Sequence, residues 1–290
     1  MTAAAQALDP WLKRAAVARN RRRALALNDR HLGETVFVIG ASTQLNRLPV
    51  DQLRVLSREP AIGLNRTQYR VDVMYFMSLY AQESALALRA GKARAVIHAC
   101  SASTPVVGGT IATFKRQYEA DRGLPRRFDG MRPTLYTSHN SAFMATHLAV
   151  IMGARRVVYI GLEQHMLTYF YDEDLAVRER ILADLAYINA KGLCDLDGER
   201  VSYERAVRDL KRPPEESAGQ TYWHQSPTEV FPEPYWNGSP AGVWRLYFDE
   251  LDRYGVEPIA TSRNSIIYEA GARYVDLDEV LRTAPADALT

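Results

Sequence analysis

Residues Asn140 to Glu163, NSAFMATHLAVIMGARRVVYIGLE, leave the chain few folds to choose from. Phe143, Met144, Leu148, Ile151 and Met152 recur at helical spacing behind a polar start at Asn140-Ser141, and Gly153 ends the helix. Val157-Val158-Tyr159-Ile160 is then an unbroken apolar run, which a strand needs when both faces of its sheet are covered, as in a parallel sheet between helix layers. Gly161 closes that strand. Glu163 sets a carboxylate just past the carboxyl edge, where open α/β sheets take their ligands.

The rest of the chain repeats the theme. Thr35–Gly40, a short strand ending at Asn65, Asp72–Ser78, Arg94–Cys100, Thr134–Ser138 and Val256–Thr261 read as strands, with Tyr274–Asp276 as a last edge strand. Helices over 51–58, 79–90, 173–190, 241–254, 265–270 and 277–281 alternate with them. This alternation predicts an α/β fold, a doubly wound, mostly parallel, Rossmann-like sheet in one domain spanning 32–276. Residues 277–290 are left as a terminal helix and tail. Residues 101–133 read as an insertion carrying a helix from Ile111 to Asp121.

With 47% hydrophobic residues among 290, the chain can bury a full core without disulfides or metals. Cys100 and Cys194 show no metal-ligand spacing and are expected to be reduced thiols in a cytoplasmic protein. No signal peptide is evident, and no apolar run approaches the roughly 20 residues of a membrane helix, so no integral membrane segment is expected. The net charge of +2 conceals an asymmetry: residues 1–31 hold seven basic residues against two acidic ones, a balance of +5 that leaves −3 elsewhere. Such a segment is either a solvated helix docked on the domain or a contact for nucleic acid or anionic lipid.

Candidate binding residues gather where strands end. Gly40, Ala41, Ser42 and Gln44 follow the first strand, in a loop that could admit a phosphate or ribose to backbone N–H groups or serve as an ordinary strand-to-helix turn. Neither the G-x-G-x-x-G fingerprint nor a Walker loop is present. Asn65 closes the second strand; Asn140 and Ser141 open the central helix; Gly161, Leu162 and Glu163 follow its strand. His98, inside an apolar strand, reads as a core histidine or a ligand. The stretch from Gln164 to Tyr171 holds His165, Tyr169 and Tyr171, too many polar-tipped aromatics for a plain linker. Residues 215–240 combine four prolines with the pairs Tyr222-Trp223 and Tyr235-Trp236, the make-up of a lid-like insertion. Its one histidine, His224, is a candidate for acid–base work or a structural residue.

The blocks VFVIGASTQL, the strand ending Gly63-Leu64-Asn65, NSAFMATHLAVIMGARRVVYIGLE, TYWHQS and YFDELDRYGVEPIATSRNS resemble, in order, the bacterial CMP-sialic-acid-dependent sialyltransferases of glycosyltransferase family 42. They also resemble the wider set of 6-hydroxymethylpterin diphosphokinase-like proteins. The resemblance implies a GT-A-like single domain that moves a sugar from a nucleotide-sugar donor, CMP-type favoured, to the hydroxyl of a glycan or other acceptor, with inversion. It places the catalytic base at His224 and puts His165, with Tyr169 or Tyr171, at the positions that stabilise the leaving phosphate. Gly40, Ser42, Gln44, Asn65, His139-Asn140-Ser141 and Gly161-Leu162-Glu163 fall on the family's nucleotide contacts. No D-x-D triplet stands at a strand end early in the chain, so a metal-independent transfer without a cofactor is expected, with Tyr169, Tyr171, Arg126 or Arg127 facing the phosphates. Two alternatives remain: a pterin-type diphosphokinase using ATP and Mg²⁺, which needs a second carboxylate beside Glu163, and a non-catalytic nucleotide- or nucleic-acid-binding module. The acceptor could also be a hydroxylated nucleic-acid base held by the basic N-terminus.

Overall fold

The strands are β1 (Thr35–Ile39), β2 (Ala61–Gly63), β3 (Val73–Ser78), β4 (Ala93–Cys100), β5 (Ile111–Gln117), β6 (Thr134–Thr137), β7 (Arg156–Ile160), β8 (Glu257–Ala260) and β9 (Arg273–Tyr274). The computed structural model describes residues 10–100, 108–118, 123–130, 132–137, 141–163, 169–192, 203–211 and 240–283. Among these residues the nine strands form one sheet in the order β6-β5-β4-β3-β2-β1-β7-β8-β9, every neighbour parallel. The helices are α1 (Pro10–Leu25), α2 (Val50–Leu56), α3 (Ala81–Ala90), α4 (Ser141–Ile151), α5 (Phe170–Glu173), α6 (Leu175–Ala190), α7 (Tyr203–Lys211), α8 (Pro240–Arg253), α9 (Ile266–Glu269) and α10 (Leu277–Thr283).

Helices cover both faces, which is why β1 is buried at every residue. Val36, Val38, Ile62, Met77, Ile97, Val157 and Tyr159 pack with α1, α4, α8 and α9. The alternate residues Phe37, Ile39, Phe76, Val96, Val158 and Ile160 pack with α2, α3, α6, α7 and α10. The doubly wound, Rossmann-like architecture expected from the alternation of elements is therefore the one observed. No helix among the described residues is long and apolar enough to cross a membrane.

One element differs from expectation. Residues 111–117 are not a helix but β5, an internal strand paired Ile97↔Ile111 with β4 and Lys115↔Leu135 with β6. Thr110, Ile111, Thr113 and Phe114 suit a pleated surface better than a helix, and two flanking strands supply the backbone partners that decide it. The span 101–133 thus contributes to the sheet itself. The lid-like residues 215–239 and Cys194 lie outside the described residues, while Cys100 is a buried free thiol. His98 is a core histidine, fully buried and sharing a hydrogen bond with Ser84 Oγ at 3.1 Å.

From β1 the chain steps outward to β6, and α4 then carries it back across the sheet to β7, on the other side of β1. Crossing the sheet interior, α4 is buried at all eleven residues rather than along one stripe. Trp244 and Tyr247 of α8 cover it, with ring centroids 4.1 Å and 4.4 Å from Phe143. Its last carbonyls are capped by the segment after α1: the N–H groups of Asp29, His31 and Gly33 donate to Ile151, Met152 and Gly153. His147, the one imidazole on α4, pins the helix to its surroundings. Its Nδ1 accepts the Tyr136 N–H at 3.0 Å, so the proton sits on Nε2, which donates to the Pro125 carbonyl at 2.8 Å.

Burial holds the His147 pKa down at about 4, against the pull of the Pro125 carbonyl. A histidine lowered on folding binds fewer protons than in the unfolded chain, so its contribution is complete above about pH 6.5 and is lost as the pH falls toward 4. Over that window the loss amounts to about 3 kcal/mol. Thermal melts of the wild type should therefore show a steeper fall of Tm on acidification than those of His147→Gln, which starts lower at neutral pH. Parallel pH profiles for the two proteins would contradict the assignment.

Candidate functional site

A sheet that reverses its direction of build between two neighbouring strands leaves an opening outside their carboxyl ends, because the loops leaving them run to opposite faces. Here the reversal lies between β1 and β7, and the loops that leave it begin at Gly40 and Gly161. The two glycines meet. A Cβ on Gly40 would stand 2.3 Å from the Gly161 carbonyl oxygen and 2.4 Å from Leu162 Cδ2. A Cβ on Gly161, at φ +67°, would stand 2.7 Å from the Gly40 oxygen. Both positions are glycine because two backbones touch there.

Polar groups then stitch the loops together. The Gly40 N–H donates to the Ile160 carbonyl at 2.8 Å and the Ser42 N–H to the Gly161 carbonyl at 3.2 Å. Gln44 accepts the Gly161 N–H at 2.7 Å and donates to Thr261 Oγ1 at 3.2 Å, joining the ends of β1, β7 and β8. The Ala41 carbonyl accepts the Phe170 N–H at 2.9 Å, and Ser42 bridges to Tyr169. Leu162 is buried beneath. Thus Gly40, Ala41, Ser42, Gln44, Gly161 and Leu162 build the floor of the edge, and the Gly40 and Ser42 amides are already committed to it.

The groups left facing outward stand around this floor. Glu163 is half-buried and accepts a hydrogen bond from Ser262 Oγ at 3.2 Å. Arg263, exposed beside Ser262, lies with its guanidinium 4.4 Å from the Tyr274 ring centroid. Asn65 is half-buried at the end of β2 and, with Arg66, takes the left-handed backbone conformation, at φ 47° and 72°. Two such residues in succession are costly without glycine, and asparagine is the type that bears it best. What holds them is Arg66. Its guanidinium is buried and binds Glu83 in the first turn of α3 through both Nε and Nη2, at 3.0 Å and 2.7 Å to Oε1.

Tyr171 packs against that pair, with the Arg66 guanidinium 5.5 Å from its ring centroid, and Tyr169 stacks on Tyr171 at 5.1 Å. Burial pushes both phenols up, Tyr171 well above the ordinary range, with the Arg66 charge opposing. They therefore keep their protons, as hydrogen-bond donors must. Burial works to lower the Arg66 pKa, but the charge and hydrogen bond of Glu83, together with Tyr171 and Tyr169, outweigh it and the net shift is upward.

The other expected site residues are distributed as follows. Ser141 is buried at the start of α4, near the carboxyl edge of β6. Asn140, His165 and His224 lie outside the described residues. Arg126 and Arg127 do not face this edge: Arg127 pairs with Asp29, which caps α4, and Arg126 lies over Tyr254 just past α8. Both helices end at the amino edge of the sheet, opposite the candidate site, so neither arginine can face phosphates here. The buried Arg66, at the end of β2, has no signal in the sequence, while Arg263 lies in the polar turn Ser262-Arg263-Asn264 after β8. Among the described residues no three His, Cys, Asp and Glu side chains gather as metal ligands would. Neither a family model, nor a curated protein, nor a solved structure matches the chain.

Proposed function

We propose that this protein is a glycosyltransferase that binds a nucleotide sugar, with CMP as the favoured nucleotide, at the carboxyl edge beside β1 and β7, and passes the sugar to an acceptor hydroxyl with inversion. The observation that carries it is the set Asn65, Glu163 and Ser262 beside a stitched floor at the point where the sheet reverses, with Arg263 in the turn that follows Ser262. Carboxylate and amide groups suit a ribose and a base, and a guanidinium suits a phosphate.

Such a transfer needs a base to take the acceptor proton as the hydroxyl attacks the anomeric carbon, and donors to bear the charge that grows on the departing phosphate. His224 is assigned the first role. Tyr169 and Tyr171, kept protonated by burial, are assigned the second together with His165.

A thermal-shift screen of CMP, UDP, GDP and ATP, each with and without Mg²⁺, tests this. At a nucleotide concentration about 100 times Kd, CMP should stabilise the fold by about 2.7 kcal/mol whether or not Mg²⁺ is added. Stabilisation by ATP alone, and only with Mg²⁺, would turn the assignment to phosphoryl transfer. No shift with any nucleotide would remove it.

A further inference from the structure

The basic N-terminal segment docks on the domain with its charges turned outward. Its apolar residues Ala24 and Leu27 are buried in the core beside α4. Asn20 grips β5 twice, donating to the Ala112 carbonyl at 2.9 Å and accepting the Ala112 N–H at 2.8 Å, and Arg23 donates to the Thr110 carbonyl at 3.1 Å. The order of these contacts fixes the direction of the helix. As α1 advances from Asn20 to Arg23, its partners on the sheet step back from Ala112 to Thr110, so α1 runs antiparallel to β5 and its N-terminal half points to the carboxyl edge. From Asn20 back to Arg14 the helix covers about 9 Å toward that edge.

Along this track Arg14, Arg19, Arg21 and Arg22 are exposed, and β5 adds the exposed Lys115. No carboxylate among the described residues forms an ion pair with any of the five. A helix that lies in a bilayer surface needs an apolar face beside its charged one. In α1 and the turn after it, Ala24 and Leu27 are spent on the core, and among the residues from Arg14 to Leu27 the exposed Val17 is the one large apolar side chain left beside five exposed arginines. Such a surface fits a polyphosphate backbone, which is bound through charge without an apolar wedge.

We propose that α1 and the adjoining edge of the sheet bind the backbone of a nucleic acid and lead it toward the carboxyl edge, so that the acceptor hydroxyl is carried by a nucleic acid. The docking surface stands on the geometry of α1; its use as the acceptor path rests on the transfer proposed above.

The test is fluorescence anisotropy of the full chain with a labelled oligonucleotide, single-stranded and duplex, over a salt series, beside a co-sedimentation assay with phosphatidylserine-containing vesicles. Binding should weaken by about 10²–10³-fold between about 50 and 200 mM salt, as counterion release at several phosphates requires. In the triple variant Arg14→Gln/Arg19→Gln/Arg22→Gln the slope of log K against log salt should be reduced by about three. The CMP-induced thermal shift should be unchanged in that variant, which also shows that it folds. Vesicle binding without oligonucleotide binding, or an oligonucleotide affinity indifferent to the triple substitution, would overturn the proposal. Oligonucleotide binding with no nucleotide shift would keep the docking surface and remove the transfer; a nucleotide shift with no oligonucleotide binding would do the reverse.

Discussion

Glu83→Leu is expected to cost about 3–5 kcal/mol of stability, because it strands the Arg66 guanidinium, buried and charged, without its counter-charge. Calorimetry should show this as a fall in Tm of about 5–10 °C. The pair is desolvated on both sides, with Arg66 91% and Glu83 94% removed from solvent, so solvent cannot replace the lost carboxylate. The double variant Arg66→Met/Glu83→Leu should recover most of the loss, since a matched apolar pair carries no desolvation penalty. Methionine at position 66 bears the same left-handed backbone that arginine bears now. Glu83 is also a positioning residue: the bidentate contact fixes the turn that presents Asn65, so nucleotide affinity should fall in Glu83→Leu at temperatures where the protein is still folded. A single variant within about 1 kcal/mol of the wild type would show that the pair is not the clamp described, because surface changes lie in that range.

His224→Ala should lower the rate of transfer by about 10²–10⁴-fold while leaving nucleotide binding nearly intact, the signature of a base that faces the acceptor and not the donor. The sequence carries this expectation: a single histidine beside Tyr222-Trp223 in a proline-bounded stretch, at the place where the resembling sialyltransferases hold their base. In the wild type the chemical step should speed up as pH rises through about 6–7, where an ordinary imidazole loses its proton. Near-normal transfer by His224→Ala, or a flat pH profile with chemistry rate-limiting, would pass the role to His165 or Glu163.

The parts of the fold that can be read from the chain are those whose pattern has one physical cause. A strand buried on both faces must be apolar throughout, and Val157–Ile160 can be little else; the same holds for Val36–Ile39. β5 is less legible, because Ile111 to Gln117 passes from apolar to basic without strict alternation and becomes a strand through its neighbours β4 and β6. The placement of site residues at strand ends follows from the topology once the strands are known. What each residue does there does not follow: Gln44 reads as a ligand group, yet both ends of its amide are spent on joining three loops. The Arg66–Glu83 clamp leaves no local trace, since its partners are 17 residues apart and are brought together only by the crossover through β3. Arg126 and Arg127 show the converse, basic residues in a loop of unknown direction that the sheet delivers to the wrong edge.

Titration calorimetry of the Asn65→Gly variant, with the nucleotide that gives the largest thermal shift, tests the nucleotide site at the carboxyl edge most directly. Glycine accepts the left-handed backbone at position 65, so the substitution removes the amide without straining the turn. The predicted result is a protein of nearly unchanged Tm whose affinity is weaker by about 1–3 kcal/mol, the cost of a lost hydrogen bond in a desolvated site. An affinity equal to that of the wild type would contradict the placement of the nucleotide at this edge.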